Sequence, residues 1–242
     1  MRGNLLVKYK FGVVFLFMLF FLSTTVYSWW SEPNNTHYRL TLMSKNLLSR
    51  MGLLFDHELR NGANEPDRIE GLKKVLEHHR HFHRVEINFN SAVNLYRRRN
   101  NKGAAWVLAS AFHYLQDAID FSTMFSEDYR NGIRSSCHNI LGKWNEVMQQ
   151  RGISSFFQRI YLSEKSTMRY FSLRQVVRRT QSMRNVLGRE MRYHLNRLEQ
   201  SSIDSESYYI SLTKVVLKAV AILKAGQARI IELLWQAAYR RR

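Results

Sequence analysis

Apolar residues along the chain recur at intervals of three and four rather than two, the spacing that gives a helix one buried face. The clearest instance is Ala104 to Asp120, AAWVLASAFHYLQDAID, an uninterrupted apolar helix pattern that carries His113 and Asp117 four residues apart and therefore on one side. Upstream, Thr36 is placed as an N-cap opening the run His37, Leu40, Met43, Leu47, Leu48. That pattern weakens near Arg60, and Asn61-Gly62-Ala63-Asn64-Glu65-Pro66-Asp67 reads as a loop punctuated by glycine and proline, with Asp67 at its end, where a short helix could start. Ile69 to Leu76 is helical in pattern and runs into His78-His79-Arg80-His81-Phe82-His83. A further helix is expected over Ser91 to Asn100, then a turn at Asn101-Lys102-Gly103 before the central helix. Beyond Phe125 the chain is polar until about His138, where another helix begins and continues past Trp144 to Met148, broken at Arg151-Gly152-Ile153. Two long amphipathic patterns follow, Ser172 to Leu198 and Tyr208 to Tyr239, separated by the polar turn Gln200 to Glu206. The expected fold is all-α, a single-domain helical bundle.

Composition supports one domain. The 242 residues are 45% hydrophobic, hold only two prolines, and have no low-complexity linker to divide them. A formal charge of +18 makes the surface electropositive, favouring encounter with phospholipid head groups, nucleic acid or phosphorylated small molecules. Cys137 stands alone and cannot form an internal disulfide. At the N-terminus, Arg2, Lys8 and Lys10 precede the apolar run Phe11 to Leu22, and Val26-Tyr27-Ser28 supplies a small-residue exit. These are the parts of an export signal cleaved before Trp29, leaving residues 29–242 as the mature, secreted or periplasmic chain. The competing reading, an uncleaved anchor, needs a longer span of about twenty apolar residues.

No internal repeat, glycine-rich phosphate loop or nucleophile elbow is present, so the chemistry rests on histidine and aspartate. Each candidate has an ordinary structural role: His37 as a solvated residue of a first turn, Asp67 as an N-cap, His78, His79 and His83 as loop polars, His113 with Asp117 as a buried hydrogen-bonded pair. Taken together they have another reading, because zinc takes imidazole nitrogen and carboxylate oxygen, and one carboxylate can bridge two ions.

Those residues resemble the bacterial zinc-dependent phospholipase C family, with the P1-type nucleases as more distant relatives. Members begin, once processed, with a tryptophan whose amine and carbonyl bind zinc, followed by a Thr/Ser-His motif; this chain has Trp29 and Thr36-His37. A glycine followed five residues later by a zinc-binding aspartate matches Gly62 and Asp67, a His-Phe ligand pair matches His81-Phe82, and a central His-Tyr-x-x-Asp matches His113-Tyr114-Leu115-Gln116-Asp117. The last helix of the family ends near Leu-Trp and Tyr, as do Leu234-Trp235 and Tyr239, so the resemblance covers the whole mature chain. It implies a phospholipase C and P1 nuclease type bundle, monomeric, with one zinc on Trp29, His37 and Asp117 and another on Asp67, His81, His113 and the bridging Asp117. Asp67 would also orient or deprotonate the attacking water. The chain departs from the family at the third zinc: Thr123 stands where a histidine is expected, and Gly142 stands four residues after His138, where a glutamate is expected. Two zincs are therefore expected. The implied activity is phospholipid hydrolysis at a membrane surface, releasing diacylglycerol and a phosphorylated head group. The alternatives are a single-strand nuclease on the same site, or a binding protein that kept the fold and lost turnover.

Overall fold

The structure, a computed structural model, describes residues 36–70 and 81–239, with the side chains of 67–70, 81 and 82 left aside. The described residues form ten helices and one 3-10 turn, and no strand. In chain order they are α1 (Thr36–Leu42), α2 (Lys45–Arg50), α3 (Asp56–Glu70), α4 (His81–Arg97), α5 (Asn101–Ala118), the 3-10 turn Phe121–Met124, α6 (Glu127–Gly142), α7 (Trp144–Gln149), α8 (Ile153–Met168), α9 (Leu173–Glu199) and α10 (Ser205–Tyr239). The all-α expectation holds for these residues. No helix among them is long and apolar enough to cross a membrane.

α5 is central, packing against α3 and α4 on one side, while α10 packs against α8 and α9 and joins the two groups through α4. The burial pattern explains this. From Leu108 to Ala118 every residue of α5 is buried, and α10 buries an almost continuous run from Val215 to Ala228. Helices apolar all round can only be stable when covered on all sides. α5 starts at Asn100, whose side chain accepts from Gly103 N at 3.0 Å, so Asn101-Lys102-Gly103 forms the first helical turn rather than a separate loop. α9 starts with a Ser172/Gln175 capping box.

Further expectations are corrected by the fold. Asn61 to Asp67 is not a loop but the interior of α3, Pro66 included, and Asp67 is neither a helix start nor an N-cap. A proline at 66 has no N–H to give the Gly62 carbonyl four residues earlier; Ser110 Oγ donates to that carbonyl instead, at 2.8 Å. Gly62 serves close approach rather than a turn: a Cβ built there would lie 2.0 Å from the Trp106 carbonyl oxygen. α4 is already helical at His81, ten residues before the expected start, and the polar stretch after Phe125 becomes α6 from Glu127. There Glu127 and Asp128 suit the positive end of the helix dipole, and Ile133, Cys137, Ile140 and Leu141 already form a buried stripe. α8 has no counterpart in the sequence reading.

The continuous pattern from His37 to Leu48 divides at Met43 and Ser44 into α1 and α2. Of the seven described residues of α1, five are buried against α3, α5 and α10. Thr36 is its first residue rather than its cap, and its Oγ1 is hydrogen bonded to His138 Nδ1 at 3.1 Å.

Candidate metal centre

His37, from α1, and His113 and Asp117, from α5, converge in the core. Both histidines are 0% exposed and Asp117 7% exposed, and one ligand atom from each residue lies within 4.8 Å of the others. The two imidazoles lie against each other, ring centres 3.9 Å apart and tilted by 33°. Among the expected site residues, Trp29 lies outside the described residues. Asp67 is in α3 and His81 opens α4, but their side chains are outside the description.

Second partners fix which nitrogen of each ring faces the carboxylate. His113 Nδ1 is 2.8 Å from the Ala63 carbonyl, which can only accept, so Nδ1 carries the proton. In the neutral ring the lone pair is then on Nε2, which is 3.1 Å from Asp117 Oδ2. The Gln116 amide nitrogen donates to the His37 carbonyl at 3.3 Å and the Thr41 hydroxyl at 3.4 Å. Its Oε1 is left to accept from His37 Nδ1 at 2.6 Å, which turns the His37 Nε2 lone pair toward Asp117 Oδ1, 3.9 Å away. Each carboxylate oxygen thus faces a different imidazole.

Two lone pairs facing two carboxylate oxygens repel unless a proton or a metal cation lies between them, and a metal-binding histidine usually has its other ring nitrogen held by an outside partner, as both are here. At zinc–ligand distances of about 2.0–2.1 Å, two ligands of a tetrahedral ion stand about 3.3 Å apart. The His113–Asp117 separation is close to that span and the His37–Asp117 separation slightly wider. The donor set fits zinc. Burial, and then the neighbouring His113, pushes the His37 pKa down to about 3, so the ring is neutral at physiological pH and no proton competes for its nitrogen.

A second polar group adjoins the first. Asp120, 3% exposed, accepts from Ser122 N at 2.9 Å and Ser122 Oγ at 2.6 Å, and lies 3.7 Å from Arg134 Nη2. Burial pushes its carboxyl up to about 6, against the opposing pull of Arg134 and Ser122. Burial, and then Arg134, lowers His138. Next to Thr36 a groove of about 530 Å³ runs between α1, α6 and α7, lined by Leu40, Met43, Leu141 and Trp144 with Arg39 and Lys143.

Sequence reasoning missed Gln116, the Ala63 carbonyl and the Asp120–Arg134 pair. Gln116 carried a signal, being an amide in an otherwise apolar run; the carbonyl carried none, since it depends on how α3 crosses α5. No family model matches the chain, and neither the curated proteins nor the solved structures contain a match.

Proposed function

We propose that the chain is an exported zinc-dependent phosphodiesterase that hydrolyses phospholipids, releasing diacylglycerol and a phosphorylated head group. The observation that carries the reading is the meeting of His37, His113 and Asp117, residues the resemblance singles out from distant parts of the chain, with both Nε2 lone pairs facing the carboxylate. Zinc held there supplies a Lewis acid for the phosphoryl oxygens and ionises water near neutral pH. The chain's own residues set the geometry: Ala63 and Gln116 hold the rings, and Asp117 turns one oxygen to each histidine, as a shared ligand must. Asp67 is assigned the water, and Trp29 and His81 complete the ligand set. Support for a lipid over a nucleic acid comes from the apolar lining of the groove beside Thr36, with Arg39 and Lys143 among its residues for a phosphate.

The test is metal analysis of the chain beginning at Trp29, beside assays on phosphatidylcholine vesicles and single-stranded DNA. Zinc binding with turnover of vesicles is expected. Turnover of DNA alone would make it the nuclease, zinc binding without turnover a binding protein, and absence of zinc would overturn the proposal.

A further inference from the structure

Alongside its buried stripe α6 carries a half-buried one, Arg130, Arg134 and His138, spaced at four residues and so on one face. Its middle member is held in place on two sides. Arg134 Nε donates to Ser122 Oγ at 3.2 Å and Nη2 lies 3.7 Å from Asp120 Oδ2, while Nη1, with two more N–H donors, has no partner among the described residues. The guanidinium is four-fifths buried, its side chain 20% exposed. Its ion-pair partner Asp120 lies three residues beyond Asp117, just past the end of α5. His138, on the next turn, is tied to Thr36 Oγ1 at 3.1 Å, one residue from His37. Of His37, His113 and Asp117, only Asp117 reaches solvent, at 7% against 0% for both histidines. The partly exposed Arg134 is held by Asp120 and Ser122, at the end of α5 that carries Asp117, with a planar donor face fixed by those partners.

We propose that Arg134 is the phosphate-binding cation of this site: its free Nη1 face takes the non-bridging oxygens of a phosphate ester presented to the Asp117 edge, while Asp120 and Ser122 hold the guanidinium still. A guanidinium matches the oxygens of a phosphate with paired N–H donors, which an ammonium cannot do. It would share the anion's charge on the side of the site where Thr123 and Gly142 leave no ligand for a further ion. Asp120 is then a positioning residue, since it acts on the anion only through Arg134. The assignment rests on the metal-centre reading for the place of the phosphate, but the guanidinium site exists with or without the ion.

The experiment uses the full mature chain, wild type against Arg134→Gln and Arg134→Lys, with Arg178→Gln on the exposed face of α9 as a control for overall charge. Inorganic phosphate, and in a second arm glycerophosphocholine as a phosphodiester carrying a lipid head group, is titrated calorimetrically into metal-free and zinc-supplemented protein, and bound zinc is measured in each. A charge-assisted hydrogen bond lost from a buried site gives about a 10- to 100-fold weaker Kd. That loss is expected for Arg134→Gln, with partial recovery in Arg134→Lys, none in Arg178→Gln, and unchanged zinc content throughout. Loss in the diester arm alone assigns the subsite to the head-group phosphate; loss in both assigns it to phosphate in general. If Arg134→Gln does not fold, Asp120→Asn with Arg134→Gln removes both charges of the pair and is titrated in its place. Equal affinity in wild type and variant, or no phosphate binding by the wild type, overturns the assignment of Arg134 and leaves the metal reading standing if zinc is bound. If no zinc is bound, the metal reading fails, and the metal-free titration alone decides for or against Arg134.

Discussion

Replacing Gly62 with alanine tests whether α3 and α5 are held together by the close approach described above. The added Cβ would lie 2.0 Å from the Trp106 carbonyl oxygen, so the gap must open to an ordinary contact of 3.4 Å or more, against backbone that cannot rotate away. Two hydrogen bonds of 2.8 Å span the same crossing, Ser110 Oγ to the Gly62 carbonyl and His113 Nδ1 to the Ala63 carbonyl, and a shift of that size breaks both. Overpacking costs about 1–3 kcal/mol, and the two bonds about 0.5–1.5 kcal/mol each. Alanine returns about 1 kcal/mol through helix propensity, which leaves a net loss near 3 kcal/mol, or a fall in Tm of about 10 °C at about 3 °C per kcal/mol for a chain of this size. Thermal unfolding of the metal-free protein measures it. Gly132→Ala is the control: nothing lies within 4 Å of the new Cβ, so the propensity gain stands alone and Tm should rise by about 3 °C. Zinc titration of Gly62→Ala should show affinity weakened about 10- to 100-fold, because His113 loses the partner that fixes its tautomer. A Gly62→Ala protein that melts with or above the wild type would refute the account of this crossing.

His113→Ala and Asp117→Ala should each abolish zinc uptake and any turnover, whereas His57→Ala, on an exposed turn of α3, should leave both unchanged; wild-type zinc content in His113→Ala would sink the ligand assignment. A chain retaining one residue before Trp29 should bind less zinc than the processed form, because a basic amine becomes an amide, and equal content measured by atomic absorption would argue against it. Two zincs per processed chain should survive dialysis; a stoichiometry near three would mean that Thr123 and Gly142 have been misjudged. For the metal-free protein, the folded His37 titrates near 3 and the unfolded one near 6.5, so between those values only the unfolded chain takes up the proton. Stability from this residue is therefore full above about 6.5 and lost as pH falls toward 3, and the urea midpoint of the wild type should approach that of His37→Gln over this window; a constant difference would contradict the sign.

The fold class was legible because spacing at three and four is a direct record of helical burial, and α5 announces itself as an uninterrupted apolar run. Asn61 to Asp67 misled for a physical reason. Glycine and proline end helices in isolation, whereas here α5 supplies a donor for the carbonyl that Pro66 cannot satisfy and fills the space that Gly62 leaves. No local signal distinguishes the two cases, since the difference lies in a residue 48 positions away. The polar first half of α6 was obscure because its buried stripe is short and flanked by arginine. In the site, the pairing of His113 with Asp117 follows from helix geometry alone, while the addition of His37, whose partner Gln116 is 79 positions distant, came from the ordered motifs of a resemblance.

The docking of α1 has a kinetic meaning for any ions held as proposed. His37 and His113 have no exposure and Asp117 only 7%, so while α1 is docked a chelator can meet ions held here only across the Asp117 edge and cannot displace the histidines. Most of a helix's stability comes from tertiary packing rather than from the helix itself. α1 can lift from α3 and α5 in a local opening well below the free energy of global unfolding. Exchange of the ion would then be gated: once chelator is in excess, the rate of stripping saturates at the opening rate of α1 and no longer depends on chelator concentration. The residues that govern that rate, Thr36 with His138 and Thr41 with Gln116, would act as a latch, setting how long an ion stays without contributing a ligand atom.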